Sequence, residues 1–524
     1  MGSVEQRTWG TRAPAQIVAS FDGLGFGFVG PQGNAFLRNP SDNSIAVGRD
    51  HIVQIVNTRM AIFTKKGAQY DTTGRVLYGP VPTSNVFRRT GDACETHNNG
   101  DAVARYDQLA DRWLIVMPIF TRLPRRADEP PTPHGGEPAR RSVAIRDAQP
   151  GTPVSLYQPP TQAPLSQDSL VALARASRPR PTADSGSFAM CYAVSASADP
   201  LGAWYRYGFV RPLFPDYPRP AVWPDGYYVP TSTGDEVIEK HACVVDRARM
   251  LRGEEATEQC VVIDSVNFLN NADLDGTALP PRGAPNPMLA AGGAQLKGIT
   301  SDSVLLAWNF HVDWDDPSKT HVDGPRRIAV APYAYLCGGQ LTRCVPQPDT
   351  TTRLDAQGDK LMARVVYRRI GDRESIVAVH SVNSTRGGGG VRWYELGVAA
   401  DRGLALMQQG TFAPDSLFRW MASPAIDAKG NIGIGYSFGG TPHYAGQRFA
   451  GRLATDPPGV LTLREAVLVE GEAAQESTLR WEDYTQTGVD PSDDCTIWYV
   501  GDYLKRGATT YSSRIGAFRI QGCN

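Results

Sequence analysis

A hairpin pattern that recurs along nearly the whole chain limits the fold more than any other feature. Residues 100–117 (GDAVARYDQLADRWLIVM) read as an acidic start, a short strand, a turn on Asp107 and Asp111, and a second apolar strand opened by Trp113. Residues 482–500 (EDYTQTGVDPSDDCTIWYV) repeat this layout, with Asp490, Asp493 and Asp494 in the turn and Trp498 in the second strand. Residues 423–437 and 39–57 are barer versions. Asp, Asn and Gly suit such turns because they tolerate left-handed backbone or bond their own backbone, and the β-branched and aromatic residues beside them fit pleated strands. The chain has 524 residues, more than one ordinary core can serve. Antiparallel hairpins repeated over that length point to an all-β chain folded as a single β-propeller, in which radial repetition leaves only short, protected sheet edges.

Grouping the strand-rich segments by fours gives about seven antiparallel blades, with six or eight as the alternatives. The propeller is expected to span 16–524. Residues 1–15 are read as an N-terminal tail, in which Met1-Gly2-Ser3 resembles a tag remnant standing where a signal peptide was. Residues 16–28 read as a strand that completes the blade formed by 512–520 and so closes the ring. Residues 121–187, crowded with Pro, Arg and Ala, read as a long surface insertion with one helical turn near 169–176, its basic clusters solvated. A second irregular, Pro-rich connection is expected over 271–290, across one face.

With 53 Lys+Arg against 54 Asp+Glu the formal charge is −1, which gives no electrostatic case for a nucleic-acid partner. Mean hydropathy is −0.31 and no apolar run approaches bilayer length, so no membrane span is expected. A monomer is expected. The eight cysteines form no CxxC pair and are not spaced with histidines, which favours disulfides over metal and hence an oxidising compartment, secreted or periplasmic. Connectivity does not follow from spacing. The expected pairs are Cys337 with Cys344, Cys495 with Cys523, Cys94 with Cys191, and Cys243 with Cys260.

Several stretches resemble a large group of secreted bacterial proteins with sialidase-like propeller folds and no assigned activity. They include AVGRDHIVQIVN (46–57), GDAVARYDQLADRW (100–113), YPRPAVWPDGYY (217–228), FHVDW (310–314) and the ending RWEDYTQTGVDPSDDCTIWYV. The resemblance covers the chain apart from 121–187 and implies the propeller fold, not a reaction. The group commonly has Arg-Trp-Gly-Asp-Tyr where this chain has Arg480-Trp481-Glu482-Asp483-Tyr484, and the replacement of Gly by Glu482 adds a carboxylate beside Asp483. The stretch 197–204 (SADPLGAW) approaches an Asp-box, a fold-stabilising turn remote from catalysis.

Loops that lead into the innermost strands of a propeller converge at one face. That selects Asp42, Asn99, Asp101, Trp223, Asp225, Arg419, Trp420 and the run 480–484. As a catalytic carboxylate pair the candidates are Asp225 with Asp483 or Glu482, and Asp101 is a further acid. Tyr484 is a candidate base or nucleophile and His97 the best-placed histidine. Arg419 and Arg480 are candidates to clamp an anionic group, Asp42 lines the same site, and Trp223, Trp420 and Trp481 would contact sugar faces. No cofactor is required by these residues. Asn98, Asn99 and Asp101, or Asp273 and Asp275, are candidate calcium ligands, neither run having EF-hand spacing. The G-x-S-x-G at 435–439 (GYSFG) is read as a strand end, not a nucleophile elbow. The leading reading is a secreted propeller acting on an extracellular, acidic carbohydrate by hydrolysis or elimination. The alternatives are a non-catalytic glycan- or protein-binding propeller, whose channel acids and arginines neutralise one another, and a metal-dependent oxidoreductase built on His97.

Overall fold

The computed structural model of the protein describes residues 4–35, 37–121, 140–142, 154–156, 188–211, 214–232, 240–263, 266, 268–292, 304–339 and 341–523. Met1-Gly2-Ser3, most of the insertion 121–187 and its helical turn at 169–176 lie outside the described residues.

The chain is all-β, and its strands pair in sequence as antiparallel four-stranded units, seven among the described residues. Unit one is Ser44–Val47, His51–Val56, Arg59–Thr64 and Val76–Pro82. Unit two is Val103–Asp107, Arg112–Ile119, Phe188–Ser195 and Ala203–Arg211. Unit three is Ala221–Trp223, Gly226–Tyr228, Lys240–Val245 and Glu258–Ile263. Unit four is Asn270–Leu274, Asn286–Ala291, Val304–His311 and His321–Ala329. Unit five is Val365–Ile370, Arg373–Asn383, Gly389–Val398 and Leu404–Phe412. Unit six is Phe418–Ile426, Ile432–Gly440, His443–Arg452 and Ala466–Val469. In unit seven, Gln486–Val489, Thr496–Tyr503 and Ser512–Arg519 are completed by the N-terminal Gln16–Asp22, the closure expected from the sequence.

The first strands of successive units touch in cyclic order, the seventh returning to the first. Units four and five are also hydrogen-bonded there, Ala272–Leu274 running parallel to Val365–Tyr367. The cores lie between units. One apolar cluster joins units one and two through Trp113 and Trp204, another joins two and three, and a third closes seven onto one through Trp498 and Phe63. Trp113, Trp204, Trp223, Trp393, Trp420 and Trp481 are all buried to 1% exposure or less. At about 25 cal/mol per Å² and roughly 150–250 Å² apiece, each contributes about 4–6 kcal/mol of transfer free energy before the entropy of ordering.

The turns behave as their residues require. Asp427 Oδ1 accepts the backbone N–H groups of Lys429 and Asn431 (2.9 and 3.0 Å), and Asp490 Oδ2 accepts Trp498 Nε1–H (3.0 Å). The stretch 271–290 corrects its expectation. Strands occupy both of its ends and only 275–285 is loop. Asparagines hide these strands from a hydrophobic pattern: Asn271 Nδ2 donates to Asn286 Oδ1 (2.7 Å) and Asn286 Nδ2 to Ala272 O (2.8 Å), replacing apolar contacts. Two short pieces of the insertion extend outer edges, Arg140–Ser142 on unit three and Val154–Ser155 on unit two. In the N-terminal tail, Glu5–Gln6 pairs with unit five.

All eight cysteines are paired as expected: Cys94–Cys191, Cys243–Cys260, Cys337–Cys344 and Cys495–Cys523. Among the described residues no helix is long and apolar enough to cross a membrane.

Candidate active site at the mouth of the ring

The loops leading into the innermost strands of units one, two, three, five and seven meet at one face. Each holds a non-glycine residue at left-handed φ: Asp42 (49°), Asp101 (54°), Tyr217 (53°), Gln357 (47°) and Asp483 (66°). Such backbone costs an L-residue about 1–2 kcal/mol, less for Asp, and the loops hold one another in it. Asp42 N–H donates to Glu482 O (2.7 Å), Tyr217 Oη–H to Asp483 O (2.8 Å), and Gln357 Nε2 to Asp483 Oδ1 (2.8 Å). Strained backbone held this way concentrates at functional sites.

The side chains form a connected polar network over an apolar floor of Val103, Tyr217, Phe268 and Tyr484. Tyr484 stacks on Tyr217 with ring centroids 4.2 Å apart, and its hydroxyl donates to Asp101 Oδ2 (3.0 Å). The Asp42 carboxyl faces the backbone N–H and the carboxyl of Asp101 and accepts from Asn57 Nδ2. Arg480 forks onto both carboxylate oxygens of Asp483. Lys360 Nζ reaches Gln357 Oε1 (2.5 Å) and Asp359 Oδ1 (2.8 Å), and lies 4.2 Å from the centre of the Phe268 ring.

Burial, followed by the charge of Asp216, pushes the Asp101 carboxyl up to about 7, against the opposing pull of Tyr484 and Arg480. Burial and the Asp101 charge hold Asp42 well above the carboxylate range. Neighbouring buried acids cannot both ionise at neutral pH, so the pair carries a shared proton. Burial likewise keeps the Tyr484 phenol protonated.

Arg219 has donors to spare. It is 3% exposed, its Nε–H donates to Leu269 O (2.9 Å), and its guanidinium lies over the Tyr217 ring at 4.7 Å. Neither Nη1 nor Nη2 has a hydrogen-bond partner among the described residues. Buried donors in a native protein are almost always satisfied, so this planar, two-pronged donor is suited to an anion.

Of the residues selected from the sequence, Asp42, Asp101, Arg480, Asp483 and Tyr484 come together here. Glu482 does not. Its own left-handed φ of 58° turns it into the contact between units six and seven, where it accepts Ser437 Oγ–H (3.0 Å), Gln447 Nε2–H (2.9 Å) and Asp502 N–H (2.6 Å). Gly takes such backbone without steric cost, whereas Glu482 does not. Asp225 is placed elsewhere because Ala221–Trp223 is itself the innermost strand, so Asp225 follows it instead of preceding it. There it accepts from Tyr228 Oη (3.1 Å), and burial raises it to about 6.

Four more residues selected as substrate contacts are buried within the fold. Trp223 Nε1 donates to Ala284 O (3.1 Å) and Trp481 Nε1 to Ser437 Oγ (2.9 Å). Trp420 is wedged against Trp481. Arg419 is buried and paired with Asp415 and Glu465 (2.8 and 2.7 Å). The GYSFG stretch forms the end of the strand Ile432–Gly440, as expected, and its Ser437 accepts from Trp481 Nε1.

His97 ends a four-residue helix, with Nδ1 near Thr96 Oγ1 and Ala93 O. It belongs to no metal-ligating group among the described residues. Asn98 Nδ2 donates to Thr58 O and Asn99 Oδ1 accepts Phe120 N–H, so Asn99 is engaged by backbone, whereas Asn98 Oδ1 has no partner among the described residues. The second calcium candidate is filled by arginines. Arg364 bonds Asp273 Oδ2 and Asp275 Oδ1, both at 2.5 Å, and Arg105 Nε lies 3.3 Å from Asp273 Oδ2. This network lines a cavity of about 30 Å³ between the innermost strands.

Asp216, Tyr217, Arg219, Gln357, Lys360 and Phe268 were not selected from the sequence. The signal for the first three was present in Asp216-Tyr217-Pro218-Arg219-Pro220, with two prolines just before a strand.

No protein-family model matches the chain, and no curated protein matches it. Among solved structures it is similar to a protein of unknown function from Dyadobacter fermentans (10% identity, 97% of this chain and 100% of that one, TM-score 0.35). It is also similar to the NanB sialidase of Streptococcus pneumoniae (10%, 81% and 67%, 0.38) and to an ulvan lyase, a polysaccharide lyase (10%, 92% and 80%, 0.28). Likenesses at this level leave the chemistry to be argued from the residues of this chain.

Proposed function

We propose that the seven units are the blades of one exported β-propeller, and that its mouth performs acid–base chemistry on an acidic carbohydrate. The observation that carries this reading is the juxtaposition of the proton-sharing pair Asp42–Asp101, the Tyr484 hydroxyl bonded to Asp101, and the unsatisfied guanidinium of Arg219 across the same aromatic floor. An acid near 7 both holds and releases a proton at working pH. When Asp101 is ionised it accepts the Tyr484 proton as the phenol oxygen attacks the sugar carbon and the glycosidic C–O bond breaks, or as it removes the proton beside the sugar carboxylate and the neighbouring C–O bond breaks by elimination. In either case the leaving oxygen departs protonated by water. When protonated, it returns that proton. Glycosidases that work through two flanking carboxylates need them roughly 5–9.5 Å apart. Asp42 and Asp101 are too close for that, so their role here is to tune Tyr484. Arg219, with Arg480 at the rim, would hold the carboxylate of a uronate or similar sugar acid. Four disulfides support export to an oxidising compartment.

A second reading, a non-catalytic binder, is favoured by the Arg105–Asp273–Arg364–Asp275 network, in which channel charges neutralise one another. Incubation with a panel of acidic and neutral polysaccharides, followed by reducing-end and unsaturated-uronate assays, distinguishes the two. Turnover confined to acidic substrates and lost in Tyr484→Phe supports the enzyme. Binding without turnover across the panel sinks it.

A further inference from the structure

We propose that His311, His321 and Asp323 form a binding site for a divalent transition-metal ion of the zinc, nickel or cobalt type, at the base of the hairpin joining the last two strands of unit four. The histidines lie far apart in the pattern of the sequence but are direct partners in the antiparallel register. Their rings are 4.5 Å apart and within 4° of parallel. Asp323 sits two residues along the same strand, so its side chain emerges on the same face as His321. One carboxylate oxygen is 3.1 Å from His311 Nε2 and the other 3.7 Å from His321 Nε2. One ligand atom from each residue lies within 4.8 Å of the other two.

Two details favour a cation over a chance surface cluster. His321 Nδ1 is 2.7 Å from Lys319 O. Donation to that carbonyl places the proton on Nδ1 and leaves the Nε2 lone pair aimed at Asp323, the outer-sphere arrangement that orients metal-bound imidazoles. His311 Nε2 is buried and, although within ion-pair distance of Asp323, has no partner in hydrogen-bond geometry. Two imidazoles and one carboxylate suit zinc-like ions rather than calcium or magnesium. The ion would clamp the ends of the 312–320 loop, whose Trp314 Nε1 donates to Asp225 O (2.8 Å). Occupancy would therefore brace unit four against unit three, away from the mouth.

The test is titration of chelator-stripped protein with Zn²⁺ and Ni²⁺ by calorimetry, with Co²⁺ absorption as a report on geometry. The expected result is one equivalent per chain, a thermal midpoint that rises with Zn²⁺, and binding weakened about tenfold or more by either His321→Ala or Asp323→Asn. Both side chains are exposed, so the variants keep the fold, and melting without metal verifies this. The absence of binding by the wild-type chain, or binding by both variants as tight as by wild type, overturns the proposal.

Discussion

Replacing Asp101 by Asn tests the electrostatic core of the site through stability as well as activity. Asn has the shape of Asp, tolerates the φ of 54° at this position, and can still accept the Tyr484 hydroxyl. The carboxyl rises from an ordinary 3.8 to about 7 in the folded chain. At about 1.4 kcal/mol per tenfold change in proton affinity, the charged form costs the fold about 4 kcal/mol. The folded state binds the extra proton, so stability falls as pH climbs from about 4 through about 7, and the whole penalty is present above that window. Asn abolishes the penalty. Unfolding entropy of about 2.1 cal/mol/K per residue over 524 residues amounts to about 1.1 kcal/mol/K, so at pH 8 the variant should melt about 2–4 °C above wild type. The lower end applies because Asp42 takes up part of the strain. At pH 4.5 the gap should shrink to roughly a quarter of that, since the folded carboxyl is then neutral while the unfolded one, at 3.8, is already mostly ionised. The assay is calorimetric melting at the two pH values under oxidising conditions. An Asp101→Asn variant equally displaced at both pH values, or less stable at pH 8, would refute the shared-proton account.

Four further outcomes follow from the same geometry. Tyr484→Phe removes one hydroxyl from a packed floor and should lower turnover by about 10²–10⁴-fold with little change in melting, measured on whichever polysaccharide the panel identifies. Arg219→Gln should raise KM for acidic substrates by about 10²-fold, the scale of two charge-assisted hydrogen bonds, and lower stability only by the roughly 1–3 kcal/mol of the lost Nε–H bond and ring contact, since the Nη groups have no hydrogen-bond partner among the described residues. Glu482→Gln should keep turnover within about twofold of wild type, since Glu482 faces the blade contact, whereas Asp483→Asn should reduce it by releasing Arg480 and Gln357. Chain entropy makes the Cys94–Cys191 bridge, 97 residues apart, worth roughly 5 kcal/mol and the seven-residue Cys337–Cys344 bridge roughly 2 kcal/mol. Urea midpoints of the two double-alanine variants should rank accordingly.

Much of the fold is readable from local chemistry. Turn residues at Asp107, Asp427 and Asp490 act on backbone within a few positions of themselves, so their spacing alone announces the hairpins. The closing strand Gln16–Asp22 and the cysteine pairs also agree with expectation. The sequence reading failed where side chains, not backbone, filled a structural role. Asn271 and Asn286 replace apolar strand contacts with a hydrogen bond, and Trp420, Trp481 and Arg419, chemically attractive as ligand contacts, are consumed between blades.

What the chain determined by itself was the alphabet of hairpins, their order and the composition of the loops between them, because these depend on interactions over a few residues. The tertiary structure decided which loop residues share a site. Whether Asp225 or Tyr217 reaches the mouth depends on where one innermost strand starts, and a shift of a few residues sends a side chain to the other end of the ring. Glu482 and Asp483 are separated by a single backbone turn into left-handed φ. His311 meets His321 only through strand register. Proximity across a ring is set by packing between distant blades, and no local pattern encodes that distance.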